Sequence, residues 1–275
     1  MYNAFYSSHD RIYSFEELAF PIDGVELDSK LVEDAEINHD HSTNPIAKRP
    51  YIFFNMVSSV DGKATTYAEK LTGLGSRPDR NLMKRLRSQV DAVLAGGSTL
   101  RHDAFIPTLP PELLEERQKH FEHPQPLGIV ISSSGDLPED HRFWNAGKDL
   151  RIVLLGENAS LEPWLYEKAQ VFRFPVQNQQ IDLKQVLSML YAKLGIKRLL
   201  VEGGATLNYA LVSQGFADEL FLTLSPHIVG GVKNTSIIAG ADYGLGGGEL
   251  PKLKLRSLYH HDSELFLRYQ FERLL

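Results

Sequence analysis

A carboxylate and two glycines follow an apolar run in residues 197–215, "KRLLVEGGATLNYALVSQG". The pattern predicts a buried strand that ends at Glu202, Gly203 and Gly204, followed by a helix from about Ala205. Glycines allow a ligand to approach the backbone closely, and the free N–H groups of a helix's first turn attract anions. The same glycines also suit a tight strand-to-helix turn that binds nothing. This motif alone leaves both interpretations open.

A second unit of the same kind occupies residues 91–103, "DAVLAGGSTLRHD", where an apolar strand ends at Gly96 and Gly97. Ser98 or Thr99 can cap a short helix and offer a hydroxyl group to phosphate. Two such units in one sheet fit a ligand with two phosphates, such as a dinucleotide. Neither unit matches the GxGxxG or GxxxxGK[ST] motif, so we predict neither a Rossmann domain nor a P-loop.

Polar residues also end an apolar strand in residues 54–66, "FNMVSSVDGKATT". Asp61 followed by glycine is typical of a turn, and we favour that interpretation while keeping Asp61 as a candidate catalytic carboxylate. Farther on, "GLGSRPDRNLMKRLR" predicts a helix with Ser76 as its cap and Asp79 in its first turn. Most arginines of this helix are expected at the surface, while one could reach a substrate phosphate.

Regular strands and helices must hold these motifs together. From Pro50 onward, short apolar runs alternate with segments of helical periodicity, which favours an α/β fold with a mainly parallel central sheet flanked by helices. After Ala217 the apolar and polar residues alternate in "DELFLTLSPHIVGG" and in the two last segments, which predicts antiparallel strands. The last two should form a C-terminal hairpin around His261–Ser263. In open α/β sheets, ligands bind outside the carboxyl ends of the strands.

Two regions are expected along the chain. Residues 1–48 are polar and mixed, and we predict an extension packed on the core with one short helix near Phe15–Phe20. Residues 49–275 are predicted to form a single domain. The segment His39–His41, "HDH", is expected to be solvated, so we predict no metal site. The glycine run from Tyr243 to Leu250, "YGLGGGEL", lies between predicted strands with no helix after it, and we interpret it as a mobile connection.

Composition excludes several classes of protein. The 275 residues include no cysteine, which rules out disulfides, thiolate zinc sites and cysteine nucleophiles. A net charge of −6, without a block of like charges, argues against a nucleic-acid partner. The N-terminus lacks the pattern of a signal peptide, and no apolar run reaches the roughly 18 residues of a membrane span. We therefore expect a cytoplasmic protein without a membrane partner.

Five motifs follow one another in an order that carries a family resemblance: "NMVSSVDGK", "DAVLAGGSTLRHD", "IVISSSGDLP", "LLVEGGATLNYAL" and "DELFLTLSPHIVGG". From about Arg49 to the C-terminus, the chain resembles the pyrimidine reductase domain of riboflavin biosynthesis, which has the dihydrofolate-reductase-like fold. It looks like a stand-alone reductase, because the zinc deaminase domain of the bifunctional enzymes is absent. Such enzymes use NADPH to reduce the ribosyl group of 5-amino-6-(5-phosphoribosylamino)uracil, or of its diamino-pyrimidinone precursor, to a ribityl chain. Hydride from the nicotinamide C4 reaches C1′ of the opened sugar.

The resemblance also implies roles for individual residues. Ser133 would lie near the adenosine 2′-phosphate of the cofactor. The full set of implied cofactor contacts is Val57, Ser59, Gly96, Gly97, Ser98, Thr99, Asp103, Ser133, Gly203, Gly204, Ala205, Thr206 and Leu207. The substrate-side residues would be Glu202, Arg87 and Ser76. The candidate catalytic residues are Glu202, Asn55 and Asp61.

Two positions keep other functions open. Many members of the family carry a lysine where this chain has Asn55, and the usual "DDP" is changed because Asp103 is followed by Ala104 and Phe105. Asn55 can form hydrogen bonds but offers no cation. These differences favour, as an alternative, a reductase of the same fold with another substrate, such as a dihydropterin or a small imine. A further alternative is a non-catalytic NADPH-binding protein.

A homodimer is expected from the resemblance. Exposed edge strands need covering, so Asp218–Ser225 and Glu264–Phe271 are candidate interface edges. The expected small-molecule partner is a phosphorylated pyrimidine.

Overall fold

The computed structural model describes residues 48–65, 74–102, 105–160, 162–178, 180–243 and 249–272. The extension over residues 1–48 lies outside the described residues except for its last residue, and so do its helix near Phe15–Phe20 and the His39–His41 segment. Asp103 and Ala104 also lie outside them, as do residues 244–248 of the glycine run.

Strands and helices occur in the alternating order that the sequence predicts. The strands are β1 (Tyr51–Ser59), β2 (Ala92–Gly96), β3 (Leu127–Ser132), β4 (Arg151–Gly156), β5 (Gln170–Phe174), β6 (Val176–Gln177), β7 (Gln180–Ile181), β8 (Arg198–Val201), β9 (Glu219–Ser225), β10 (Leu253–His261) and β11 (Glu264–Phe271). The α-helices are α1 (Arg77–Ser88), α2 (Gly97–His102), α3 (Pro111–Gln118), α4 (Trp164–Lys168), α5 (Leu183–Ala192) and α6 (Ala205–Ser213). Two short 3-10 helices, Arg142–Ala146 and Lys148–Leu150, precede β4.

One nine-stranded sheet organises the described residues, in the order β10-β11-β9-β1-β8-β2-β3-β4-β5. Its strands from β9 to β5 are all parallel. The closing pair β10–β11 is antiparallel, and β11 is antiparallel to β9. The predicted α/β fold, with a mainly parallel sheet and a C-terminal hairpin around His261–Ser263, is therefore confirmed. The buried parallel strands read as continuous apolar runs because both of their faces are covered.

Strand β9 corrects one prediction. It was expected to be antiparallel, but it runs parallel to β1 on one side and antiparallel to β11 on the other. Alternation along a strand reports unequal burial of its two faces and not its direction, which explains the error. The proposed interface edges were also wrong, because Asp218–Ser225 and Glu264–Phe271 are flanked by strands on both sides. The edges of this sheet are β10 and β5.

Helices cover both faces of the sheet and complete two hydrophobic clusters. Helices α5 and α6 pack on one face, through residues such as Leu187 and Leu211. Helix α1 packs on the other face, through Leu82 and Leu86. This packing fixes the helix N-termini at the carboxyl edge of the sheet. Within the described ranges, none of the helices combines the length and the apolar character that crossing a membrane requires.

Truncation of Leu86 tests how firmly α1 is held. Leu86 has no exposed surface, so Leu86→Ala is expected to reduce the free energy of unfolding by about 2–5 kcal/mol through lost burial and the cavity left behind. Leu258→Ala is the control, because that side chain is 36% exposed. Urea titrations followed by fluorescence would measure both, and equal effects would contradict the assignment of Leu86 to the core.

Candidate active site

The two glycine turns lie side by side because their strands are neighbours. Strand β2 pairs with β8 in parallel, with Leu94 opposite Val201. The Gly96 N–H group donates a hydrogen bond to the carbonyl oxygen of Gly203 at 2.9 Å. Gly203 has φ of +100°, a conformation that favours glycine. The two predicted units therefore form one continuous stretch of the carboxyl edge.

Close packing explains why glycine occupies two more positions in these turns. A Cβ atom on Gly97 would lie 3.1 Å from the Cβ of Ser132, and one on Gly204 would lie 3.2 Å from Oγ1 of Thr99. The turns themselves therefore favour residues without a Cβ atom at these two positions. A role in ligand approach is compatible with this geometry.

The N-terminus of α6 carries backbone donors without a side-chain acceptor. Its N-cap is Gly204, which forms no capping hydrogen bond through a side chain. The first-turn N–H groups belong to the predicted cofactor residues Ala205, Thr206 and Leu207. Such uncapped donors, together with the helix dipole, favour an anion at this position.

Helix α2 starts two or three residues earlier than a cap at Ser98 or Thr99 requires. It begins at Gly97, so Ser98 and Thr99 lie inside the helix and the prediction that either one caps it was wrong. The chain enters the helix at the second glycine, which leaves no turn residue in between. Ser98 is nevertheless exposed at the edge, and Ser133 is exposed just after the neighbouring strand β3.

The turn after β1 is tied to the loop after β9. The hydroxyl of Ser59 donates to Oδ1 of Asp61 at 2.6 Å, and Asp61 also accepts from the N–H groups of Val229 and Gly230 at 3.0 and 2.7 Å. The hydroxyl of Ser59 and these two N–H groups lower the pKa of Asp61 to about 2. This geometry is that of the turn interpretation, and a catalytic role for Asp61 stays a prediction.

Strand β1 places Asn55 and Val57 between the glycine turns and β9. Asn55 lies opposite Phe221, and Val57 lies opposite Thr223. Asn55 is half-buried, and its Oδ1 atom has no hydrogen-bond partner among the described residues. An acceptor left open in this way is available to a ligand's N–H or O–H group.

Two predicted substrate residues, Arg87 and Glu202, form a buried ion pair. The Nε and Nη2 atoms of Arg87 each donate to one carboxylate oxygen of Glu202, both at 2.6 Å. Each side chain is 8% exposed. The third arm of the guanidinium, Nη1, donates to the carbonyl oxygen of Ile106 at 2.9 Å. The pair thus joins helix α1 to the end of β8, and both oxygens of Glu202 are engaged.

Ser76 sits in a second polar cluster at the start of α1. It caps the helix as predicted, since its hydroxyl accepts from the Asp79 N–H at 3.1 Å. The same hydroxyl donates to Oε2 of Glu264, the first residue of β11. Asp79 and Glu264 are both buried. Sequence reasoning missed these two carboxyl groups as site residues.

The environment of Asp79 disfavours its charged form. Burial raises its pKa to about 6, and the carboxylates of Glu264 and Glu202 act in the same direction. The hydroxyl of Thr223 and the charge of Arg80 act in the opposite direction. A signal for Glu264 was present in the sequence, since period-2 alternation places it on the same face as the buried Phe266.

A cavity of about 570 Å³ lies at the opposite, amino-terminal edge of the sheet. Its lining includes Tyr51, Asp91, Arg117 and Arg198. No predicted site residue lines it. The candidate active site is therefore confined to the carboxyl edge, where the glycine turns, the Arg87–Glu202 pair and the Ser76 cluster meet.

Comparison with known proteins identifies the family of this chain. The family model described as "RibD C-terminal domain" matches residues 50–267. The 2,5-diamino-6-ribosylamino-4(3H)-pyrimidinone 5′-phosphate reductase of Archaeoglobus fulgidus is 31% identical over 197 residues, covering 71% of this chain and 89% of the relative. The protein of the same name from Methanothermobacter thermautotrophicus is 28% identical over 225 residues, covering 80% and 98%.

Solved structures share the fold. A pyrimidine reductase-like protein from Corynebacterium diphtheriae has a TM-score of 0.68 at 22% identity, covering 87% of this chain and 98% of that one. The deaminase/5-amino-6-(5-phosphoribosylamino)uracil reductase of Thermotoga maritima has a TM-score of 0.64 at 20% identity, covering 90% and 62%. The fold is thus dihydrofolate-reductase-like, as the sequence predicts. This chain belongs to the RibD C-terminal domain family.

Removal of one partner of the buried Arg87–Glu202 pair is expected to reduce the stability of the folded protein. Glu202→Ala leaves the Arg87 charge buried and unpaired, and should reduce the free energy of unfolding by about 3–5 kcal/mol. The double variant Arg87→Met with Glu202→Leu should recover most of that loss, because apolar side chains of similar volume remove both charges. A double-mutant cycle from urea titrations measures this, and purely additive losses would contradict a direct pair.

The Asp61 hydrogen bonds predict a pH-dependent stability. Because the pKa of Asp61 in the folded protein, about 2, is below the ordinary value of 3.8, its contribution is present above pH 3.8. It is lost as the pH falls towards 2. Asp61→Asn should therefore lower the thermal midpoint near neutral pH, and this difference should shrink in acid. A constant difference across a series of calorimetric scans would contradict the assignment.

Proposed function

We propose that this chain is an NADPH-dependent reductase of riboflavin biosynthesis that converts the ribosyl group of a phosphoribosylamino-pyrimidine into a ribityl chain. The observation that carries the proposal is the contact between the two glycine turns, beside the buried Arg87–Glu202 pair. It puts an edge suited to binding an anion next to a buried polar pair. Family membership and the names of the archaeal relatives support the same reaction.

The residues at the edge fit a dinucleotide phosphate. The uncapped N–H groups at the start of α6 would hold a phosphate, with the Ser98 and Thr99 hydroxyls close by on α2. Ser133 is exposed beside them, where it would contact the 2′-phosphate of NADPH. When bound, the cofactor supplies the hydride for the reduction. What the chain itself supplies is position, since hydride transfer needs no protein nucleophile.

On the substrate side, the Arg87–Glu202 pair and Asn55 would orient the ribosylamino group. Glu202 is fixed by Arg87, so its carboxylate cannot rotate away from the edge. The open Oδ1 of Asn55 would accept an N–H or O–H hydrogen of the substrate. These are the groups that would hold C1′ of the sugar in front of the cofactor.

A specific observation favours a second candidate, a reductase of the same fold with a different substrate. Phe105, in the segment after Asp103, is buried in the core and stacks on Phe143 with ring centroids 5.6 Å apart. It therefore offers no polar group to a ribose phosphate. Asn55 likewise offers no cation. A non-catalytic NADPH-binding protein is the remaining alternative.

A homodimer is part of the proposal, with the edge strand β10 as the surface that pairs. Leu253 and Leu258 are exposed hydrophobic residues on this strand. No further described strand pairs with β10, and an edge strand with exposed apolar side chains invites pairing with a second copy. Light scattering after gel filtration would measure the mass. The cytoplasmic location remains a prediction.

Turnover tests the proposed function. We expect loss of NADPH absorbance with 2,5-diamino-6-ribosylamino-4(3H)-pyrimidinone 5′-phosphate or with its deaminated uracil counterpart. In Glu202→Gln an amide replaces the carboxylate, so one charge-assisted hydrogen bond with Arg87 is lost. We expect kcat/KM to fall by about 10- to 100-fold. Glu122→Gln, an exposed carboxylate at the opposite edge, is the matched control. Binding of NADPH without turnover on either pyrimidine would contradict the proposed reaction.

A further inference from the structure

Asp79, in the first turn of α1, and Glu264, the first residue of β11, are two buried carboxyl groups. They are 8% and 5% exposed. Within the described ranges, neither forms a salt bridge. Oε1 of Glu264 also lacks any hydrogen-bond partner among the described residues. Burying such groups unpaired costs free energy, so their retention calls for an explanation beyond stability.

Three other carboxylates of this protein each accept two hydrogen bonds from one arginine. Glu202 accepts hydrogen bonds from two nitrogens of Arg87, Nε and Nη2. Glu219 receives two hydrogen bonds from Arg268, at 2.8 and 2.9 Å. Asp218 receives two from Arg49, at 2.6 and 2.8 Å. In each case two parallel N–H donors face two carboxylate oxygens. Among the residues that the structure describes, no such pair of donors faces Asp79 or Glu264, and a ligand with paired N–H donors would supply it.

The position of the two groups is at the candidate active site. Asp79 lies in the first turn of α1, where the Thr223 hydroxyl of β9 and the charges of Glu264 on β11 and Glu202 at the end of β8 influence its carboxyl group. Thr223 is fully buried and is the strand neighbour of Val57, a predicted cofactor contact. The two carboxyl groups therefore lie near residues that the proposed function assigns to the site.

We propose that Asp79, supported by Thr223 and Glu264, binds the amino-substituted edge of the pyrimidine ring and selects a 2-amino-4-oxopyrimidine over a uracil. This inference rests on the proposed function. A 2-amino-4(3H)-pyrimidinone carries a 2-amino group next to the N3–H, which together present two parallel donors. A uracil carries a carbonyl oxygen in place of the amino group. That oxygen would face a carboxylate oxygen, and an acceptor would stay unpaired.

Ring geometry is consistent with the rest of the site. The ribosylamino substituent at C6 lies across the ring from N3. When the N3 edge faces Asp79, the sugar therefore points away from α1, towards Glu202 and the glycine turns. Glu202 cannot serve the ring edge equally well, because Arg87 already occupies both of its oxygens.

Protonation of Asp79 should weaken this binding. The groups that face its carboxyl are Glu264, Glu202, Arg80 and the Thr223 hydroxyl, and the pKa of Asp79 is about 6. Two N–H donors pair with the carboxylate form and not with the acid. The affinity for a 2-amino-4-oxopyrimidine is thus expected to fall as the pH decreases through about 6.

The selectivity between the two pyrimidine phosphates is the primary test. The unmodified enzyme is expected to have a higher kcat/KM for the diamino substrate than for the uracil substrate. Asp79→Asn should lower kcat/KM for the diamino substrate by about 10- to 100-fold and shift the ratio towards the uracil, with NADPH affinity unchanged. Asp182→Asn is the matched control, because the Asp182 carboxylate has a structural role as the N-cap of α5. An unchanged ratio in Asp79→Asn would overturn the proposal.

Stability separates a binding role from a structural one. The pKa of Asp79 in the folded protein is raised from 3.8 to about 6, so its charged form costs stability as the pH rises through that range. Asp79→Asn should therefore unfold at an equal or higher temperature than the unmodified protein at pH 8. A markedly lower temperature would indicate a structural role and would count against the proposal. Thr223→Val is the second variant, expected to reduce the selectivity in the same direction.

Binding of small probes distinguishes failure of this inference from failure of the proposed reaction. Isocytosine carries the 2-amino-4-oxopyrimidine edge without a sugar, and uracil is its matched control. Saturation-transfer NMR should detect a preference for isocytosine that disappears in Asp79→Asn. This result with no turnover on either phosphate would leave the subsite standing while the reaction is rejected. Equal binding of the two probes would overturn the subsite.

Discussion

The buried pair between Arg87 and Glu202 is the interaction on which the rest of the site depends. It joins helix α1 to the end of β8, where the second glycine turn begins. The first glycine turn is held to the second by the Gly96–Gly203 hydrogen bond. One chain of contacts thus runs from α1 through Glu202 to both turns. Its burial makes the pair expensive to break, which fixes the geometry of the whole carboxyl edge.

Around this fixed pair, the polar groups divide into satisfied and unsatisfied sets. Glu202 and Asp61 have their acceptors occupied by an arginine or by backbone N–H groups. Asn55 and Glu264 keep a buried oxygen without a partner among the described residues. Satisfied groups position the backbone, and open groups are where a substrate can gain binding energy. Under the proposed function, Glu202 would position the site, while Asn55, Glu264 and the adjacent Asp79 would recognise the substrate.

Much of the fold could be predicted from the sequence because its signals are local. Apolar runs, glycine pairs and the Ser76 cap each lie within a few residues of the structure that they specify. The direction of β9 could not be predicted, since alternation reports burial alone. The sheet edges depend on strand order, which short motifs do not encode.

The site was only partly predictable, because its contacts join residues that are far apart in the sequence. Residue types singled out Glu202 and Arg87, but the bond between them spans 115 positions. The contact of Ser76 with Glu264 spans 188 positions, and alternation places Glu264 on a buried face without identifying this partner. Only the tertiary structure reveals which buried acids lack a partner.

Transfer of deuterium is the most direct test of the central claim. The enzyme would be incubated with diamino-pyrimidinone phosphate and NADPH deuterated at C4 of the nicotinamide, in either configuration. One of the two labelled cofactors should yield a ribityl product with deuterium at C1′, detected by mass spectrometry and NMR. Oxidation of the cofactor without label at C1′, or recovery of unchanged pyrimidine, would contradict the account.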